Sequence, residues 1–174
     1  MKTHSSKELK MKTTIISTLL ITSLILFTSC TKKADDVGDA AGVAAANNPT
    51  QLDTTQNIGS VGETMAYDKS DLTVKSGADI TLNFKNNSST LQHNWVLVKP
   101  GTENDVGLAG IKAGLKKSFI PDDATAADII AHTKLVEPGQ SDSVTFKAPA
   151  AGDYPYICTN AGHHTVMKGV LHSK

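Results

Sequence analysis

The sequence predicts an all-β fold, a Greek-key β-sandwich with a short helical flap inserted into it. Three features carry that expectation. From Ile58 onward, short runs of alternating or β-branched apolar residues are cut by clusters of turn-forming residues. About seven or eight such runs fit between Ile58 and the end of the chain, the spacing of a sandwich rather than of alternating strands and helices. Residues 101–130 are the one stretch of this region that breaks the β pattern.

Ahead of that region lie two segments of different character. Lys7, Lys10 and Lys12 precede an apolar run from Ile15 to Phe27, closed by Thr28-Ser29-Cys30. A basic flank before a short apolar stretch is the pattern of an export leader, so residues 1–29 read as a signal peptide. The run is too short for a membrane span, which takes about 20 apolar residues. Met11-Lys12 would serve as a start for such a leader as well as Met1 does. Small residues directly before Cys30 resemble a bacterial lipoprotein cleavage box, which makes Cys30 a lipidated amino terminus. Residues 30–57, rich in Ala, Asp, Asn and Thr, have too little apolar surface to offset the entropy of folding and read as a disordered tether.

The domain itself is expected over residues 58–174. Strands are expected at Glu63–Asp68, Leu72–Val74 and Ala78–Phe84, with Ile80, Leu82 and Phe84 sharing one face of the pleat. The next, Gln92–Val98, puts His93, Trp95 and Leu97 on one face, with Trp95 in the core. Leu108, Ile111 and Leu115 have near-helical spacing, and the alanines of Ala124–Ile130 favour a helix, hence a flap with one or two short helices. Strands resume at Ala131–Val136, Ser143–Phe146, Tyr154–Cys158 and Val166–Leu171, with a turn at Pro138-Gly139.

Composition removes some functions. The 174 residues carry 17 basic and 17 acidic side chains, all the basic ones Lys, for a formal net charge of zero. Loss of residues 1–29 leaves 13 Lys against 16 acids, a net charge of −3. Neither balance suits a nucleic-acid binder, which neutralises phosphates with a basic face.

The chemistry concentrates in Cys158-Thr-Asn-Ala-Gly-His163-His164-Thr-Val-Met167, with His93 upstream. A thiolate, two imidazoles and a weak thioether are the ligand set of a trigonal mononuclear copper site. A loop with four residues between Cys158 and His163, and three between His163 and Met167, can turn all three side chains to one point, while His93 comes from a neighbouring strand. Spacing to both Cys158 and Met167 favours His163 over His164, which is then a loop or surface residue. A Cys30–Cys158 disulfide is the plainer alternative, and the export leader argues against it. Asn94 is expected to tie the His93 strand to the region of Thr159, His132 to be solvent-exposed, and His4 and His172 to have no part in function.

Five segments together resemble a known family. Gln92-His-Asn-Trp-Val-Leu-Val98, Val106-Gly-Leu-Ala-Gly110, Ile130-Ala-His-Thr-Lys134, Ser141-Asp-Ser-Val-Thr-Phe146 and the run from Cys158 through His163 to Met167-Lys-Gly169 are similar to the azurin and auracyanin branch of the blue copper proteins, the cupredoxins. The resemblance covers nearly all of residues 58–174. It implies one copper ion held by His93, Cys158 and His163, with Met167 axial and the main-chain carbonyl of Gln92 as a further weak axial contact. This chain departs from the family where azurins carry an extra disulfide, and where an aromatic and a proline commonly stand in place of Asn160 and Ala161. Asn86–Leu91, short and without histidine, lacks a pH-switching imidazole before His93.

The function that follows is one-electron transfer without a substrate, through the edge of His163 and an apolar rim including Ala161 and Val166. The protein would be a monomer, exported to the periplasm or cell surface, lipid-anchored to a bacterial membrane at Cys30, and would meet membrane-bound respiratory donors and acceptors. Copper storage or delivery is the alternative, and a copper enzyme acting on nitrogen oxides would need a second centre with open positions.

Overall fold

The computed structural model describes residues 53–174. The leader, Cys30 and most of the expected tether lie outside the described residues. Among the described residues, nine strands form two mixed sheets: β1 (Thr55–Val61), β2 (Thr64–Tyr67), β3 (Asp71–Val74), β4 (Asp79–Lys85), β5 (Val96–Val98), β6 (Ile129–His132), β7 (Ser141–Lys147), β8 (Gly152–Ile157) and β9 (Lys168–Ser173). One sheet has the order β2-β1-β4-β7 and the other β3-β9-β8-β5-β6. β1 runs parallel to β4, and β3 parallel to β9; the remaining pairs are antiparallel. β1 begins ahead of Ile58, where the apolar pattern of the sequence starts, because Thr55 to Gly59 pair in register with Thr81 to Lys85 of β4.

Alternation decides the core, as expected for β4, where Ile80, Leu82 and Phe84 are fully buried. They pack with Leu72, Val74, Trp95, Leu97, Phe146, Tyr156 and Leu171 into one cluster. Trp95 lies among Phe146 and Tyr156, with ring centroids 5.8 Å from each.

Three expectations need correction, the first only in position: the strand expected at Ala131–Val136 forms at Ile129–His132. The strand expected over Gln92–Val98 is regular only at Val96–Val98. Before it, His93 keeps a single bridge to Val136, and the Trp95 amide donates to the Thr133 hydroxyl at 3.0 Å rather than to a ladder. Residues 93–98 are buried throughout, so side chains of neighbouring segments take over the hydrogen bonds of the missing ladder. Within the flap, α1 (Glu103–Ala113) forms as expected, followed by short 3₁₀ turns at Leu115–Lys117 and Ala124–Asp128. Yet the apolar stripe that predicted it faces outward, with Leu108, Ile111 and Leu115 exposed by 53%, 39% and 61%. The buried face of α1 is Val106, Gly107 and Gly110. No helix among the described residues is long and apolar enough to cross a membrane.

Candidate metal centre

Cys158 directly follows β8, and its amide donates to the Met167 carbonyl at 3.0 Å, extending the β8–β9 pairing by one rung. Between these two residues the chain folds tightly. His163 N–H donates to the Asn160 carbonyl at 2.9 Å, and Met167 N–H to the His163 carbonyl at 2.8 Å, around a 3₁₀ turn at His163–Thr165. Gly162 enters this turn with φ 81°, a left-handed conformation that glycine adopts without strain. His93 arrives from the opposite side, fixed by reciprocal main-chain bonds with Val136 at 3.2 and 2.8 Å.

Three donor atoms converge there. Cys158 Sγ lies 3.7 Å from His93 Nδ1 and 3.5 Å from His163 Nδ1, and the two Nδ1 atoms are 3.2 Å apart. Every pairing falls within 4.8 Å, and all three residues are buried. Such separations suit donors sharing one first-row metal ion with bonds of about 2.0–2.3 Å. Burial also sets their protonation. Desolvation, with the nearby His163 second, lowers His93 to about 4, and desolvation lowers His163, so both imidazoles are neutral and ready to donate a lone pair. Desolvation raises the Cys158 thiol to about 11, so ionisation must come with the incoming cation. Cys158 carries a free thiol. A soft sulfur and two imidazole nitrogens, neutral and preassembled, fit a single type 1 copper ion.

Met167 is fully buried, and its carbonyl accepts from the Cys158 amide. Asn94 makes the expected tie: its Oδ1 accepts from Thr159 N–H at 2.8 Å, and its Nδ2 donates to Thr159 Oγ1 at 2.8 Å. The carbonyl of Gln92 accepts from Asn160 Nδ2 at 2.6 Å. His132 is exposed, as expected. His172 bridges Asp153 at 2.7 Å and Asp71 at 3.1 Å across three neighbouring strands, and these bonds raise its pKa.

Of the two places expected for His164, loop or surface, it takes the first, in the 3₁₀ turn of the ligand loop, and does not reach the surface. It is buried, because α1 packs directly on it. A Cβ added to Gly107 would stand 2.3 Å from His164 Cγ and Cδ2, and one added to Gly110 would stand 3.0 Å from Thr159 Cβ. The two glycines therefore let the flap rest on the ligand loop. Sequence reasoning also missed Tyr67, whose hydroxyl donates to the Asn94 carbonyl at 2.7 Å, and Glu63, which gathers Ser88, Ser89 and Thr90 ahead of His93. The Gly107-x-x-Gly110 spacing was the one available signal for the flap contact. Tyr67 and Glu63 had none, since their partners are distant in sequence.

Comparison with known proteins agrees with this geometry. The family described as copper binding proteins, plastocyanin/azurin family, matches residues 54–173. Auracyanin-A of Chloroflexus aurantiacus is 46% identical over 119 residues, spanning 67% of this chain and 72% of that protein. Azurin-1 of Alcaligenes xylosoxydans xylosoxydans is 40% identical over 115 residues, spanning 62% of this chain and 88% of its own. The crystal structure of dithionite-reduced auracyanin from Roseiflexus castenholzii superposes with a TM-score of 0.66 at 44% identity, covering 71% of this chain and 98% of that one.

Proposed function

The chain belongs to the plastocyanin/azurin family of copper-binding proteins, and from that premise we propose that it is a one-electron carrier rather than an enzyme, with His93, Cys158 and His163 as strong ligands and Met167 as the weak axial one. The observation that carries the proposal is the convergence of one thiol and two neutral imidazoles, all buried, at separations of 3.2 to 3.7 Å. Bound copper supplies the one-electron couple. The chain contributes a geometry that neither oxidation state is free to relax: Cys158 held by β8 and β9, His93 held by Val136, and Asn94 joining the two. His163 is the ligand nearest solvent, 8% exposed, and Ala161 and Val166 beside it are exposed. Electrons would pass through that edge in small, short-lived contacts with redox proteins. Enclosure of the donors favours retention of the metal over its delivery, so storage or delivery is the weaker reading.

Residues 1–29 act, in this proposal, as a leader, Cys30 as a lipidated terminus and the residues after it as a tether. The monomeric carrier then works outside the cytoplasm, confined to the membrane surface where its respiratory donors and acceptors are concentrated. The copper reading is tested by loading the chain with Cu(II) and recording its visible spectrum. An intense thiolate-to-copper band is expected, and Cys158→Ser abolishes it; a parent chain without the band refutes the reading. Metal exchange with a chelator within seconds would favour delivery instead. Transfer of the parent, but not of Cys30→Ser, into a detergent phase tests the anchor.

A further inference from the structure

Asn160 stands two residues beyond Cys158, and its amide has partners of opposite kind. Oδ1 accepts from Ala161 N–H at 2.7 Å, and Nδ2 donates to the Gln92 carbonyl at 2.6 Å. A main-chain N–H needs an oxygen and a carbonyl needs a donor, so these two partners fix which way the amide points. On the other side of His93, Asn94 is oriented by the same logic, with Oδ1 on Thr159 N–H and Nδ2 on Thr159 Oγ1, both at 2.8 Å. The residues flanking His93 are thus each bonded to one of two consecutive residues in the loop after Cys158. The side chain of Gln92 is held as well, with Nε2 donating to Glu137 at 2.6 Å.

We propose that Asn160 is a positioning residue, the second of two clamps that straddle His93, and the group that keeps the Gln92 carbonyl engaged with an amide rather than with the metal. This rests on the copper reading above. Asn94 gives the His93 segment a side-chain strut to the ligand loop on one side of the ligand only; Asn160 supplies the second, on the other side. A carbonyl oxygen is a hard donor that suits Cu(II) better than Cu(I). Committed to Asn160, it leaves three strong ligands in charge of the site. Released, it becomes available to the oxidised ion and favours that state.

The test uses the full chain loaded with Cu(II) and, separately, with Co(II). Asn160→Asp keeps the oxygen that accepts from Ala161 but removes the donor to Gln92, while Asn160→Ala removes both. Both variants are expected to retain the intense copper band. Their Co(II) ligand-field absorption should weaken and shift toward a five-coordinate pattern, the Cu(II) hyperfine splitting should change, and the reduction potential should fall. The carboxylate of Asp adds a charge and a donor of its own, so the Co(II) spectrum of the Ala variant carries the test. Parent-like Co(II) and Cu(II) spectra in both variants would overturn the proposal. A parent lacking the copper band would instead overturn the copper reading. Should the variants fail to fold, the Zn(II)-loaded parent decides: a through-bond NMR coupling between Asn160 Nδ2 and the Gln92 carbonyl supports the clamp, and its absence refutes it.

Discussion

Two groups of polar side chains flank the same stretch of chain, and they are built on opposite rules. In the group around Asn86, each donor meets an acceptor. Its Oδ1 accepts from Ser60 Oγ and Ser88 N–H, both at 3.0 Å, and its Nδ2 donates to the carbonyls of Leu91 at 2.8 Å and Val136 at 2.9 Å. Glu63 completes the group, taking Ser89 N–H at 2.6 Å and the hydroxyls of Ser88, Ser89 and Thr90. Around Cys158 the donor atoms instead face one another: its Sγ and the Nδ1 atoms of His93 and His163 lie 3.2 to 3.7 Å apart. The first group satisfies itself and so stabilises the fold. The second is satisfied only by a cation, which is how buried polar atoms come to signal function.

That contrast is open to attack from both sides. The largest effect should come from filling the unsatisfied group: Zn(II) at about a thousand times its Kd should raise unfolding free energy by about 4 kcal/mol. Denaturant titration checks this, and Cys158→Ser should gain far less. Breaking the satisfied group should have the reverse signature. Asn86→Ala takes the partner from the Leu91 carbonyl, the Ser60 hydroxyl and the Ser88 N–H, while the Val136 carbonyl keeps its bond from His93 N–H. It should cost about 2–3 kcal/mol, and the copper band of the folded protein should persist. Equal stability with a lost band would erase the distinction between the groups.

The smallest effect concerns the exposed end of the satisfied group. Hydrogen bonds from Thr90, Ser89 and Ser88 lower Glu63 from 4.5 to about 2. A group with a depressed folded pKa stabilises above its unfolded pKa and loses that contribution as pH falls through the folded value. Stability attributable to Glu63 should therefore decline between about pH 4.5 and 2, and Glu63→Gln should flatten that part of the profile. Thermal midpoints measured across the acid range, parent against variant, provide the check.

Much of this was legible in the residues themselves. Alternation in β4 announced a half-buried strand, and the intervals Cys158–His163–Met167 announced a loop able to gather ligands. Other features gave misleading signals for identifiable reasons. Leu108 and Ile111 marked α1 correctly but not its buried side, because glycines rather than large side chains let the helix approach the ligand loop. His164 looked like a bystander because the helix that covers it comes from a different part of the chain. Gln92–Trp95 looked like regular strand because a β-like pattern does not reveal that side-chain hydrogen bonds have replaced the ladder.

The sequence by itself determined the sandwich, the flap, and which residues could ligate a soft metal, because local periodicity and donor chemistry belong to short stretches of chain. The tertiary structure alone decided which imidazoles are buried, which face of α1 points inward, and that the Gln92 carbonyl is already held by Asn160. Those are matters of packing between segments 65 or 68 residues apart, as the Asn94–Thr159 and Asn160–Gln92 bonds are. No short window of residues contains both partners.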